Sequence, residues 1–205
     1  MSFKNSLPTV MALLVVMLLA GGLVVIFYPK TLPPAVNNQL KTNIFRPASP
    51  SPALPVVSEV HSGDGTMTLI RKIESPADQS PTYSFTVANL AGVDKKEHLI
   101  FSQSVMPGAD ISIPANTWSP DNKYLFLQTK DVAGHLNYLA FKASGEPFAQ
   151  DVPYLDVGAF FAQKLPKYSL LEATGWASPI FINVKTNEGP AYWFDVQARA
   201  FWGHR

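Results

Sequence analysis

Histidine and cysteine are the first residues to consider for chemistry in this chain. The four histidines are His61, His98, His135 and His204, and we find none with a second histidine, a cysteine or a carboxylate at the spacing of a zinc site. The chain has no cysteine, which excludes a disulfide, a thiolate metal site and a cysteine nucleophile. It also lacks a Gly-x-Ser-x-Gly elbow and a phosphate-cradling glycine loop. We therefore predict no metal, no cofactor and no catalytic residue with a local signature.

Asp121 and Asp131, together with a histidine from a distant strand, are the remaining candidates for acid-base chemistry. Carboxylates of this kind lie in the loops of every surface domain, so solvated loop charges are the simpler interpretation. We predict a noncatalytic protein. The alternative is a membrane-anchored extracytoplasmic hydrolase whose active site has no local sequence signature.

Aromatic side chains are the candidates for binding, by stacking on carbohydrate or peptide, although such residues more often form a core. Strand alternation places Tyr192 and Phe194 on one face and Trp193 on the other, so one face must be covered or be exposed. We select Trp193 and Trp202 as the candidate binding surface. The aromatic residues considered for this role are Trp118, Trp176, Tyr192, Trp193 and Trp202.

The elements that must position these residues are mostly strands. Seven short segments are rich in aromatic or β-branched residues and are separated by Gly, Pro, Asp and Asn. One segment, 157–165, favours a short helix, because Asp156 is a good N-cap and Pro166 would stop it. The pattern predicts an all-β domain with one short helix. The predicted strands are 67–73, 82–88, 98–102, 123–128, 137–141, 179–184 and 191–196.

Three turn-like segments recur before strands at nearly one interval, namely 61–69, 118–126 and 176–182. Asp121 follows Asp64 by 57 residues, and Trp176 follows Trp118 by 58. We predict that Trp118 and Trp176 occupy equivalent scaffold positions, each buried against a neighbouring sheet.

The segment that follows Trp118 has the composition of a hairpin turn. Pro120 presets φ, the side chain of Asp121 caps its own backbone, and Asn122 tolerates a left-handed conformation. Together with Ser119 these residues complete the predicted repeat scaffold.

The stretch Trp118-Ser-Pro-Asp-Asn-Lys-Tyr-Leu-Phe126 resembles the Trp-Ser-Pro-Asp-Gly-Lys hairpin of TolB-type β-propeller repeats, with Asn122 in place of the usual glycine. Residues 137–147 resemble the next strand and closing turn of such a blade, whereas 61–105 and the Trp176 segment match weakly. The resemblance implies blade-like antiparallel sheets and transfers no catalytic position. The 147 residues from 59 to 205 are too few for the four or more blades of a closed ring. We expect an incomplete or atypical propeller, with self-association as one way to complete it.

Residues 9–28 contain no charge and predict a membrane anchor. Twenty helical residues span ~30 Å, the thickness of the hydrocarbon core. We expect the anchor to be retained after a short tail, 1–8, because the small residues Ala20, Gly21 and Gly22 lie inside the apolar run rather than after it. The lipid bilayer is thus the first predicted partner.

Residues 29–58 read as a Pro-rich stalk, with a Pro-rich recognition motif as the alternative. Basic residues flanking the anchor favour an internal domain, but the short tail and the stalk favour an extracytoplasmic one, which we predict. The domain 59–205 carries 15 acidic against 12 basic residues, which argues against nucleic acid.

Anchor, stalk and blade-like units together are similar to uncharacterised envelope proteins of reduced-genome bacteria. We predict a single-pass protein of the cell membrane whose β-domain binds a protein or cell-wall material.

Overall fold

The computed structural model describes residues 54–75, 80–91 and 96–204. The predicted tail, the predicted anchor and the stalk up to residue 53 lie outside the described residues. Within those ranges there is no helix of the length and apolarity that a membrane crossing needs. The first strand begins at Val56, three residues before the predicted domain boundary at 59.

The first sheet is a four-stranded antiparallel meander of β1 (Val56–His61), β2 (Met67–Glu74), β3 (Thr82–Asn89) and β4 (Glu97–Ser104), in that order. Alternating side chains separate its two faces, as period-2 strands require.

The second sheet consists of β5 (Asp110–Ser112), β6 (Tyr124–Lys130), β7 (Leu136–Lys142) and β8 (Leu155–Asp156). Its last strand has only two residues, because the chain turns there into a helix.

Helix α1 covers Val157–Lys164 and confirms the predicted short helix. The carboxylate of Asp156 accepts a hydrogen bond from the backbone N–H of Ala159 at 2.8 Å, so Asp156 is the N-cap. At the other end, the N–H of Leu165 donates to the carbonyl of Phe161. The helix packs against β7 and against two strands of the third sheet.

The third sheet consists of β9 (Leu170–Trp176), β10 (Phe181–Thr186), β11 (Ala191–Asp195) and β12 (Ala200–His204). As in the other two sheets, strands that follow one another in sequence are neighbours in space.

The second sheet lies between the other two and buries both of its faces. Leu125 and Leu127 of β6 pack into a core shared with the first sheet, whereas Phe126 between them packs into a core shared with α1 and the third sheet. All three side chains are fully buried. The first and third sheets each contribute one face to a core and keep an outer face.

The all-β prediction is confirmed, and a strand is found at each of the seven predicted segments. In the described part of the chain the three sheets do not close into a propeller. The sequence interpretation missed β1, β5, β8, β9 and β12.

Candidate functional site

The β1–β2 and β5–β6 turns have the same hydrogen-bonding pattern. Ser62 Oγ donates to Asp64 Oδ1 at 2.7 Å, and Ser119 Oγ donates to Asp121 Oδ1 at 2.8 Å. Each serine also receives the backbone N–H of the residue five positions later. The predicted equivalence of these two segments therefore extends to individual atoms.

Asn122 stands at the position where the first turn has Gly65, and both residues have positive φ, 57° and 72°. Asparagine tolerates this left-handed conformation better than most residues. Its side chain also donates from Nδ2 to Thr66 Oγ1 at 3.2 Å, which links the second turn to the first. Asparagine thus adds an inter-turn contact that glycine would lack.

The turn between β9 and β10 departs from this pattern. It is one residue shorter, because the N–H of Ala177 donates to the carbonyl of Phe181 at 2.8 Å. Its Ser178 accepts from the N–H of Ile180 and donates to no aspartate among the described residues. It is nevertheless linked to the second sheet, because Trp176 Nε1 donates to the carbonyl of Thr117 at 2.9 Å. Asn116 Nδ2 adds a bond to the carbonyl of Thr174 at 3.1 Å.

The β1–β2 turn, the β5–β6 turn and the strands β9 and β10 meet around a cleft of about 690 Å³, which we call the turn cleft. Every sheet contributes to it, and none of the described residues that line it is a lysine or an arginine. The absence of a side chain at Gly175 lets β9 lie close to the loop that carries Asn116. A Cβ on residue 175 would be only 2.7 Å from Asn116 Cβ. The main polar and aromatic lining residues are His61, Asp64, Asn116, Trp118, Trp176 and Asn183.

Asp64 is the single carboxylate that lines the turn cleft in the part of the chain that the structure describes. The backbone N–H of Thr66 and the hydroxyls of Ser62 and Thr66 donate to it, which holds the pKa of Asp64 far below its usual range. It is therefore ionised at any physiological pH. His61 lines the same cleft, with Nδ1 2.7 Å from Thr68 Oγ1.

Asn183 connects the turn cleft to the outer face of the third sheet. It lines the cleft and stands directly opposite Trp193 in the β10–β11 pair. Among the described residues its side chain forms no hydrogen bond, so its amide is available to a ligand.

The outer face of the third sheet, which we call the aromatic face, contains both candidate tryptophans. Trp193 and Trp202 are paired across β11 and β12, and Trp202 is 54% exposed. The Trp193 ring is stacked between Phe181, at 5.7 Å and 12°, and His204, at 4.6 Å and 16°. Both faces of the Trp193 indole are thus covered, and the edges of the three stacked rings face the solvent.

Trp118 and Trp176 lie in the scaffold rather than on this surface. Trp118 is 9% exposed and belongs to the core between the first two sheets. Trp176 is half-buried and packs against Tyr124 and Phe126 of the second sheet. Tyr192 faces inward, against Phe161 of α1.

The acid-base candidates do not converge. Asp131 contacts His135 at 2.9 Å in the exposed β6–β7 turn, and the same carboxylate caps the backbone N–H of His135. Hydrogen bonds from the imidazole and that N–H lower the pKa of Asp131. Asp121 lies at the opposite end of β6, in the β5–β6 turn. The four-residue spacing of Asp131 and His135 was a signal of their contact that the sequence interpretation did not use.

Two other histidines have structural contacts. The His98 ring lies 2.8 Å from the carbonyl of Ala143, between the first two sheets, and His204 is part of the Trp193 stack. Within residues 54–75, 80–91 and 96–204 no three histidine or acidic side chains are grouped as a metal site would require.

Neither a protein-family model nor a curated protein nor a solved structure matches this chain. The resemblance to TolB-type repeats stays a prediction.

Proposed function

We propose that this chain is a single-pass envelope protein whose β-domain is a noncatalytic binding module, and that the turn cleft is its ligand site. The observation that carries the proposal is the convergence of three sheets on one cleft. Side chains that can form hydrogen bonds reach it from each sheet: Asp64 from the first, Asn116 from the second and Asn183 from the third.

The chemistry of the cleft favours an uncharged ligand rich in hydroxyl and amide groups. Asp64 is ionised and the described lining residues include no lysine or arginine, so a phosphate or another anion would be repelled. The two amides and the imidazole can donate to and accept from sugar hydroxyls and N-acetyl groups, and the carboxylate can accept from the hydroxyls. The partly exposed indole of Trp176 supplies apolar contact. Glycan of the cell wall has this chemistry, and a protein loop of similar polarity is the other candidate.

Direct binding to a defined glycan tests the proposal. We expect the full-length protein, purified in detergent, to bind the trisaccharide of N-acetylglucosamine saturably in calorimetry or saturation-transfer NMR. Asn183→Ala should weaken binding about 5-fold, the effect of losing one hydrogen bond of ~1 kcal/mol.

Thr86→Ala is the matched control, because Thr86 is a half-buried polar residue on the far side of the first sheet. Its binding should equal that of the parent. Absence of saturable binding by the parent would contradict the glycan proposal, and release of shorter sugars would favour the hydrolase instead.

The proposed location is the cell membrane, with residues 9–28 in the bilayer and the domain outside. Protease added to intact cells should then digest the β-domain and spare a membrane-bound fragment. Protection of the domain until the membrane is broken would place it on the cytoplasmic side.

A further inference from the structure

Six strands lie at the edges of the three sheets, namely β1, β4, β5, β8, β9 and β12. An edge strand presents unpaired backbone N–H and C=O groups that can pair with another chain, and proteins protect most such edges. The strands β5 and β8 have only three and two residues, which is itself a protection. Three of the other four edges are protected in other ways.

The edges β4 and β9 are interrupted by β-bulges. Ile100 of β4 has no partner in β3, and Leu171 and Thr174 of β9 have none in β10. A bulge breaks the series of hydrogen-bonding groups and twists the edge away from an incoming strand. Each of the two strands also contains a glutamate, Glu97 or Glu172, which adds a charge to the edge.

Side chains of the loop that precedes β6 contact the backbones of β1 and β9. Trp118 Nε1 donates to the carbonyl of Val60 at 3.2 Å, and Asn116 Nδ2 donates to the carbonyl of Thr174 at 3.1 Å. Strand β1 also contains the exposed Glu59. A strand that approached either edge would therefore compete with these donors.

The remaining edge, β12, has none of these features. All five of its residues pair with β11 in a continuous register. It contains no acidic residue, lysine, arginine or proline, and Trp202 and Gly203 are exposed. Within residues 54–75, 80–91 and 96–204 its backbone is hydrogen-bonded through β11 alone, with no bond from another loop or side chain. The outward N–H and C=O groups of β12 therefore form an open edge.

We propose that β12 binds an extended segment of a partner protein, which adds a fifth strand to the third sheet. In an antiparallel ladder alternate residues direct their N–H and C=O groups away from the neighbouring strand, and the backbone of the partner segment pairs with these groups. Main-chain hydrogen bonds supply the affinity of such binding and alternate side chains supply its specificity. The proposal is independent of the ligand of the turn cleft, because Asn183 of the cleft lies on β10, two strands away.

The side chains of β12 define the segment that fits. Trp202 lies on the aromatic face at the middle of the strand and is 54% exposed, so an aromatic or β-branched residue opposite it gains a cross-strand contact. Phe201 faces inward, with its ring centroid 5.3 Å from that of Phe161 and 4.9 Å from that of Phe194, which favours an apolar residue beside it. The matching segment is as long as the five-residue strand, uncharged, free of proline and rich in apolar or β-branched residues.

The dimensions of the edge favour a flexible segment over a second folded domain, including a second copy of this chain. Five residues at ~3.3 Å each, in a sheet layer ~10 Å thick, present about 160 Å², whereas each partner in a stable complex of folded proteins buries ~800 Å². A flexible segment is not confined to the edge, because its side chains can also cover Trp202. A glycan lacks the regular series of N–H and C=O groups that the edge requires.

A synthetic peptide, acetyl-Lys-Thr-Val-Thr-Val-Thr-Lys-amide, tests the proposal, because every residue between its lysines is β-branched. Added to the full-length protein in detergent, it should slow amide hydrogen exchange in β12 saturably and leave exchange in β1 unchanged. The control is the same peptide methylated on the backbone nitrogens between its lysines. It keeps the side chains but has lost the N–H groups, and it should not bind.

A pair of variants tests the role of Trp202. Trp202→Ala should raise the dissociation constant of the peptide about 3-fold, because the cross-strand contact is lost. Val57→Ala is the matched control, since Val57 is also 54% exposed and lies on the edge strand β1, and it should leave the constant unchanged. Circular dichroism checks that both variants fold.

Three other results would overturn the proposal. Equal binding of the methylated peptide would show side-chain contact without strand addition. Absence of saturable protection, or protection confined to another edge strand, would show that β12 is not the site. Sedimentation that shows a dimer which the peptide dissociates would identify a second copy, rather than a partner protein, as the occupant of the edge.

Discussion

The indole Nε1–H of Trp118 donates to the carbonyl oxygen of Val60 at 3.2 Å, joining the second sheet to the edge strand of the first. One repeat later, Trp176 makes the same bond to Thr117 at 2.9 Å. Val60 and Thr117 are themselves equivalent, because each precedes the residue that begins its turn segment. Each tryptophan therefore reaches back to the preceding sheet at the same place.

Truncating these tryptophans should destabilise the domain to different extents. Trp118→Ala should cost ~3–5 kcal/mol, as large aromatic deletions in a core do. Trp176→Ala should cost less, about 2–3 kcal/mol, because its half-buried ring leaves a smaller cavity. Urea unfolding of residues 48–205, which form one compact unit, measures both values.

Asp121→Ala provides the comparison, at about 1 kcal/mol, because it removes turn hydrogen bonds from Ser119 and Lys123 and leaves packing intact. A Trp118 variant as stable as the parent would contradict the scaffold role.

Local chemistry made part of this fold predictable. The strand over 82–88 followed from its aromatic and β-branched residues, and α1 followed from the capping residue Asp156 and from Pro166. The β5–β6 turn followed from the composition of residues 119–122. In the helix and the turn the determining contacts lie within a few residues of one another, where sequence patterns report them directly.

Other features depend on tertiary contacts. Strand β9 contains Glu172 and Gly175 and has no clear alternation of polar and apolar residues, and it is held by its register with β10. The turn cleft arises only when three sheets meet. The covering of Trp193 by Phe181 and His204 likewise depends on neighbouring strands, so the sequence identified Trp193 as a surface residue but not the orientation of its ring.

Substitutions at Asn122 separate backbone strain from the contact of its side chain. Asn122→Gly should change stability little, because relief of the positive φ offsets the lost bond to Thr66. Asn122→Val should cost about 2 kcal/mol or more, since a β-branched residue is strained at positive φ and also loses the bond. Urea unfolding would show this order, and equal effects of Gly and Val would contradict it.

The lowered pKa of Asp64 predicts a stability contribution that depends on pH. Because the backbone N–H of Thr66 and neighbouring hydroxyls favour the ionised form, the contribution is complete above the unfolded pKa of ~3.9 and is lost as pH falls toward the folded pKa. Asp64→Asn should therefore lower the melting temperature most at neutral pH, and its difference from the parent should narrow in acid.

Melting temperatures from pH 7 down to pH 2 would follow this change. Glu188→Gln, at an exposed residue that forms no hydrogen bond among the described residues, is the control and should follow the parent's curve. A difference for Asp64→Asn that stays constant with pH would show that the carboxylate's charge contributes nothing.

The boundary between stalk and domain gives the last prediction, because β1 begins at Val56 directly after the proline-rich segment. Leu54 is 89% exposed and makes no core contact, and prolines cannot enter a sheet ladder. Deleting residues 33–55 should therefore change the melting temperature by less than about 2 °C.

Extending that deletion to residue 61 removes β1 and should have a much larger effect. Trp118 would lose its acceptor Val60, and β2 would lose its pairing partner and part of the cover over Leu69. A cost of about 3 kcal/mol or more is expected from the lost hydrogen bonds and apolar burial, which lowers the melting temperature by roughly 6–12 °C in a domain of this size. Tryptophan fluorescence during heating of the full-length protein in detergent would follow both deletions. Equal melting temperatures for the two would show that β1 is dispensable and that the domain begins after the first turn.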